Sequence, residues 1–146
     1  MPEFDWPVAD PFVRHLTVEP GDIDEFGHAN NVRYVAWAMD VAWAHSGAVG
    51  LDFEAYRRLG AGVVVHRHDF QYLKPTLKGE EIAAATWIAA NDRRVRIERA
   101  FEFRRASDGV ALFRGSSHMV CIELEGGRPT RMPTEFVSAY APSTET

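Results

Sequence analysis

The sequence predicts an α+β fold in which one curved antiparallel β-sheet wraps around one long central helix. Three observations carry this reading. Residues 31–46 place apolar side chains at helical spacing and on most of the remaining sides, so the helix they form is expected to be buried nearly all round. From Ala61 onward the spacing changes to that of strands, in long stretches separated by turn residues. One of these, Arg94–Phe103, alternates strictly: Val95, Ile97, Phe101 and Phe103 share one face, which is apolar except at Arg99.

Taken in order, a first strand is expected over Phe12–Glu19, ended by Pro20-Gly21. The long helix follows over Asn31–Ser46, with Asn30 or Asn31 as N-cap, Gly47 beyond its end, and Val32, Val35, Ala36, Met39 and Trp43 as its apolar stripe. A short amphipathic helix over Asp52–Leu59 is closed by Gly60. Strands are expected over Ala61–Leu73, Glu80–Ala90, Val95–Arg105 and Val110–Leu124, with hairpin turns at Asn91-Asp92 and Asp108-Gly109. Pro133-Thr134-Glu135 opens a last helix over about 133–141. The whole of 1–146 reads as one domain with its core over about 12–124, since no repeat, low-complexity run or linker divides it. The uncovered sheet face and the free strand edges call for protection, which a dimer would supply.

The net charge of −5 argues against a nucleic-acid partner, and no Gly-x-Gly-x-x-Gly or Walker loop supports a nucleotide fold. Cys121 is the single cysteine, so no internal disulfide can form and a reducing compartment is the simpler expectation. It lies in an apolar strand context and reads as a small buried hydrophobe. Met1 to Trp6 has neither a basic region nor an apolar core and does not read as a secretory signal. The most apolar stretch, Val32–Ala44, spans about 13 residues against the ~20 that a bilayer crossing needs. A cytoplasmic protein without membrane segments is expected.

The densest cluster of chemically useful residues is Asp22-Ile23-Asp24-Glu25-Phe26-Gly27-His28-Ala29-Asn30-Asn31-Val32-Arg33-Tyr34, where the first strand gives way to the helix. Gly27 permits a positive φ or a close backbone approach. The first N–H groups of the helix have no internal partners and carry the positive end of its dipole. A carbonyl placed there would have its developing oxyanion stabilised by fixed donors, at about 3 kcal/mol per donor. Asp24, a few residues upstream, would lie opposite as base or nucleophile. Asp22 either pairs with Asp24 or is solvated, the second being favoured.

Asp24-x-x-Gly27-His28-x-Asn30-Asn31-x-x-Tyr34 resembles the signature of the 4-hydroxybenzoyl-CoA thioesterase group of the hotdog superfamily. Tyr72-Leu73-Lys74-Pro75 leading to Gly79-Glu80 resembles a second segment of that family, and the strand order agrees over roughly Val13–Glu123. The resemblance implies hydrolysis of an acyl-CoA thioester with Asp24 as the catalytic carboxylate. His28 and Asn30 would position substrate or water, and the backbone of Gly27, His28 and Asn31 would polarise the carbonyl. It further implies a homodimer or homotetramer with active sites at subunit interfaces, needing no metal or other cofactor. Related enzymes carry their acid on the long helix, where Asp40 is the rival. A carrier-protein thioesterase and a non-catalytic acyl-thioester-binding protein are the competing readings.

Tyr34 and Tyr72, together with Trp37, Trp43 and Phe70, are candidates to line the acyl pocket, as core residues first. Lys74, Lys78, Arg93, Arg94 and Arg96 are the basic groups at turns, from which the phosphates of CoA would draw one or two. His66 and His68, spaced i and i+2 on a strand, are expected to point the same way. No further ligands accompany them at metal-binding spacing, so a pocket or interface role is favoured.

Overall fold

The computed structural model describes residues 4–146; Met1–Glu3, half of the segment read as lacking a leader, lie outside them. The order is β1 (Phe12–Thr17), a 3-10 turn (Pro20–Asp22), α1 (Asn31–Ala48), α2 (Phe53–Leu59), β2 (Ala61–Tyr72), β3 (Glu81–Asn91), β4 (Arg96–Arg105), β5 (Ala111–Glu123) and α3 (Thr134–Ala139). The five strands form one sheet in the order β1-β3-β4-β5-β2, each neighbouring pair antiparallel. β2 is thus an edge strand.

Alternation on β3 and β4 sends Ile82, Ala84, Phe101 and Phe103 toward α1, where they meet Tyr34, Trp37, Ala38 and Val41. A second apolar cluster joins α2, α3 and the far ends of β4 and β5 through Tyr56, Ile97, Cys121 and Phe136. Cys121 is fully buried there and its thiol is pushed up to about 11 by burial, as expected of an inert packing residue. On the other sheet face Trp6 and Val8 pack against Ala85 and Trp87, so the chain's own N-terminal segment covers part of what a partner was expected to cover.

The long helix departs from expectation in two ways. It runs through Gly47 to Ala48, and Gly50, with φ 87°, follows its end. It is also not buried all round. The face on the sheet is that of Tyr34, Trp37, Ala38 and Val41, whereas Val32 is 69% and Trp43 47% exposed. The apolar stripe read from the sequence therefore marks the half-exposed side. Asp52 and Gly60 do cap α2, the latter in the left-handed conformation with φ 73°.

Beneath the C-terminal half of α1, Arg99 is 2% exposed. It contacts His45 Nδ1 at 2.9 Å and donates to Thr86 Oγ1 at 3.1 Å. Burial first, and the adjacent guanidinium second, pull His45 down to about 4, so the ring is neutral at pH 7 and its Nδ1 accepts. Because its folded value lies below the ordinary 6.5, the unfolded chain binds this proton more readily. Stability is complete above pH 6.5 and is lost as pH falls toward 4. The loss is expected to be about 2 kcal/mol after allowing for the ring's partial exposure. Urea unfolding from pH 7 to 4 should show that extra slope in the wild type and not in His45→Gln. Equal slopes would remove His45 as its source.

Candidate active site

The segment between β1 and α1 is a closed turn. Ile23 and Ala29 pair as an isolated bridge, the Asp24 N–H donates to His28 O at 2.9 Å, and Gly27 N–H donates to Asp24 O at 3.0 Å. Gly27 has φ 80°, a conformation that L side chains resist, which explains glycine at this position. Asp24 is half-buried. Its Oδ1 accepts from Phe26 N–H at 2.9 Å, while no protein donor takes Oδ2 among the described residues. The turn therefore aims one carboxylate oxygen and leaves the other open to a ligand.

This turn is tied down from both sides. Ala29 N–H donates to Thr76 O at 2.8 Å and Asn30 N–H to Asp22 O at 2.9 Å. Thr76 is fully buried and its hydroxyl meets the Tyr34 hydroxyl at 2.5 Å, linking the β2–β3 connection to α1. Burial outweighs that bond and raises the Tyr34 phenol above its ordinary range. Asp22 is neither solvated nor paired with Asp24. It is 8% exposed, accepts from Glu19 N–H at 2.8 Å and forms an ion pair with Arg33 at 2.7 Å. Its burial follows from closing the 3-10 turn that places Asp24.

Asn30 is the N-cap, accepting from Val32 N–H at 2.9 Å. Asn31, the first residue of the helix, lines the cleft, and its N–H has no acceptor within the helix. Gly27 differs from expectation here, since its N–H is spent within the turn. Its part is conformational. Asn30→Ala is expected to lower stability by about 1 kcal/mol and to weaken any activity that depends on the first turn of α1. Urea denaturation checks the first, and an unchanged midpoint would show that the cap carries nothing.

Asp24, His28, Asn30, Asn31 and Tyr34 line one cleft, whose opposite wall is Tyr72, Leu73, Lys74 and Pro75 from the end of β2. Phe26, missed in the sequence, stands 85% exposed at its lip; the signal was an aromatic residue inside an otherwise polar loop. The other expected residues are not brought here. A β-bulge between Val65 and Arg67 breaks the alternation of β2. His66 stacks beside His118 on the outward face, whereas His68 turns inward, meeting Ser117 Oγ at 2.8 Å and stacking on Phe70. The two histidines thus point to opposite faces, contrary to expectation. Arg93 and Arg94 lie in the β3–β4 turn beside the Asn91 side chain, which donates to Tyr140 O, at the far end of β3 from the cleft. At strand rise that is on the order of 30 Å within one chain. Asp40 is exposed on α1 and lines no part of the cleft.

The model of the family described as the thioesterase-like superfamily matches residues 18–140. The chain belongs to the thioesterase-like superfamily. Solved structures agree on the hotdog fold. A 1,4-dihydroxy-2-naphthoyl-CoA thioesterase from Synechocystis superposes with a TM-score of 0.80 at 17% identity, over 90% of this chain and 96% of the other. A Staphylococcus aureus protein solved in complex with CoA gives 0.83 at 19% identity, over 90% and 82%. A 12:0-ACP thioesterase from Umbellularia californica gives 0.79 at 17% identity, over 92% of this chain and 52% of the other. A search of curated proteins finds no significant match. In this superfamily member the turn and cleft occupy the start of the central helix, and no helix of the described residues is long and apolar enough to cross a membrane.

Proposed function

We propose that the chain hydrolyses an acyl-CoA thioester, with Asp24 as the carboxylate that acts on the carbonyl. The observation that carries this is the half-satisfied Asp24 carboxylate facing the start of α1 across one cleft. The thioester carbonyl lies at the helix start, where the Asn31 amide and the dipole stabilise the charge that develops on oxygen. Asp24 either attacks the carbonyl carbon or takes a proton from water that does so; both need the ionised form. His28 and the Asn30 side chain border this position and orient substrate or water, while Tyr34 and Tyr72 wall the acyl side. Lys74 is the cation that lines the cleft and so is the residue for a CoA phosphate. Arg93 and Arg94 reach such a ligand only from a second copy of the chain.

A homodimer or homotetramer is part of this proposal. β2 has a free edge and is exposed over most of Val64–Tyr72, and the exposed Trp43 of α1 shares a cavity wall with Val63 and Val65 of that strand. A second copy on that edge would cover both. The Staphylococcus structure with CoA favours a CoA ester. The Umbellularia relative keeps a carrier-protein ester as the alternative. Thiol release measured across aliphatic and aromatic acyl-CoAs tests the reading. Saturable hydrolysis supports it; inertness toward every CoA ester alongside turnover of an acyl-carrier protein transfers the reaction to that substrate, and inertness toward both sinks it.

A further inference from the structure

Arg99 is a buried cation without an anion. The other deeply buried charges are matched: Glu102 is held by Arg104 at 2.7 Å and Arg114 at 2.8 Å, and Asp22 by Arg33. The Arg99 guanidinium has His45 Nδ1 at 2.9 Å, Thr86 Oγ1 at 3.1 Å and Ser46 Oγ at 3.5 Å. Each of these is neutral, and no carboxylate lies within ion-pair reach among the described residues. Burial lowers the guanidinium to about 10, which leaves it charged at neutral pH. The C-terminal end of α1 supplies a fraction of a negative charge nearby. A full charge in a buried setting still favours an anionic partner.

Arg99 also opens onto a small, partly open cavity of about 70 Å³ between α1 and the sheet, room for the end of a chain rather than its length. Its walls are mostly apolar, as at Met39, Ala42, Trp43 and Met119, with Arg99 the one charged group beside the hydroxyls of Ser46, Ser117, Tyr56 and Tyr140. The guanidinium has five N–H donors in a planar fork, and the three contacts above leave some of them free. An apolar cavity holding a cationic fork suits an apolar chain that ends in a carboxylate.

The cavity and the Asp24 cleft lie along the same strip of the molecule. Asn31, Val35, Met39, Ala42 and Ser46 succeed one another at helical spacing on one face of α1, with the cleft at the first and the cavity at the last three. From Asn31 to Ala42 is about 16 Å at the α-helical rise, a span that an extended acyl chain can cover. We infer that the Arg99 cavity receives the far end of the acyl group and that this end carries a carboxylate, so that the preferred substrates are ω-carboxyacyl thioesters. This rests on the thioesterase reading above and names its substrate class.

The test compares adipoyl-, suberoyl- and dodecanedioyl-CoA with hexanoyl-, octanoyl- and dodecanoyl-CoA, in wild type, Arg99→Met and Arg99→Lys. The wild type should favour the carboxylate-ended member of at least one pair by about tenfold or more in kcat/KM, as for a site built around a polar group. Arg99→Met should erase that preference and keep or raise Tm, since it removes an unpaired buried charge. Arg99→Lys, which keeps the charge, should retain part of it. Equal preference in wild type and folded Arg99→Met overturns the inference. Arg99-dependent inhibition by octanoate without preference for ω-carboxyl esters also overturns it, because the carboxylate recognised would then be that of the product. If neither CoA nor carrier-protein esters are hydrolysed, the thioesterase reading fails separately. Calorimetric titration with suberate then decides the cavity: binding lost in Arg99→Met supports the inference, and binding that is absent or unchanged sinks it.

Discussion

Asp24→Asn should lower thioester turnover by at least ~100-fold while leaving the protein folded, the size of effect that general acid–base groups carry. The substitution isolates charge from shape. An asparagine Oδ1 can accept the same Phe26 N–H that Asp24 Oδ1 now accepts at 2.9 Å, so the turn has no reason to open. The flanking bonds, Ala29 to Thr76 and Asn30 to Asp22, use backbone and are untouched. Unfolding free energy should therefore stay within about 1 kcal/mol of wild type. What disappears is a negative oxygen without a protein donor, facing the helix start. Asp40→Asn is the matched control, because Asp40 is exposed on α1 outside the cleft and its loss should leave turnover unaltered. Full activity in Asp24→Asn together with a large loss in Asp40→Asn would exchange their roles. Steady-state kinetics paired with urea denaturation settles both halves.

The elements were legible because their signals are local. Asp52 and Gly60 close α2, Gly109 takes φ 75° between β4 and β5, and the alternation around Arg99 places Ile97, Phe101 and Phe103 on the inner face. The cluster from Asp24 to Tyr34 was legible for the same reason, since a turn and a helix start draw residues close in sequence into one wall. What stayed hidden depends on contacts between distant segments. A period of two puts His66 and His68 on one face, and a bulge that shows only in the pairing with β5 reverses one of them. Asp22 looked like a loop carboxylate until Arg33, a helical turn into α1, was placed beside it. Helical spacing alone also misjudged α1. Apolar residues surround it, but only the sheet decides which of them are covered, and Trp43 remains half out. Charge alone makes Arg93 and Arg94 candidates for the phosphates of CoA, whereas the length of β3 carries them to the end away from the cleft.

Gly115→Ala should be the most damaging single methyl in the molecule, with an expected loss of about 3 kcal/mol or more. Gly115 pairs with Phe70 across β5 and β2, and a Cβ there would come within 2.2 Å of Asp69 O and 2.7 Å of Phe70 Cδ1. The nearest of these atoms is backbone, so a change of rotamer cannot relieve the clash. β2 would have to move away from β5. That displacement would pull Phe70 from its contacts with Phe101 and Phe113, and those rings belong to the cluster beneath α1. It would also carry Tyr72 and Lys74, one wall of the cleft, away from Tyr34 and the Asp24 turn. Activity and stability should therefore fall together in Gly115→Ala, whereas Asp24→Asn should separate them. Urea denaturation measures the first, and a midpoint near that of wild type would show that the β2 edge yields at little cost. A strand that yields so readily could not hold the cleft wall to the sub-ångström placement that carbonyl chemistry needs. The stability of this one variant thus bears on whether the cleft is built in the single chain or completed when a second copy braces β2.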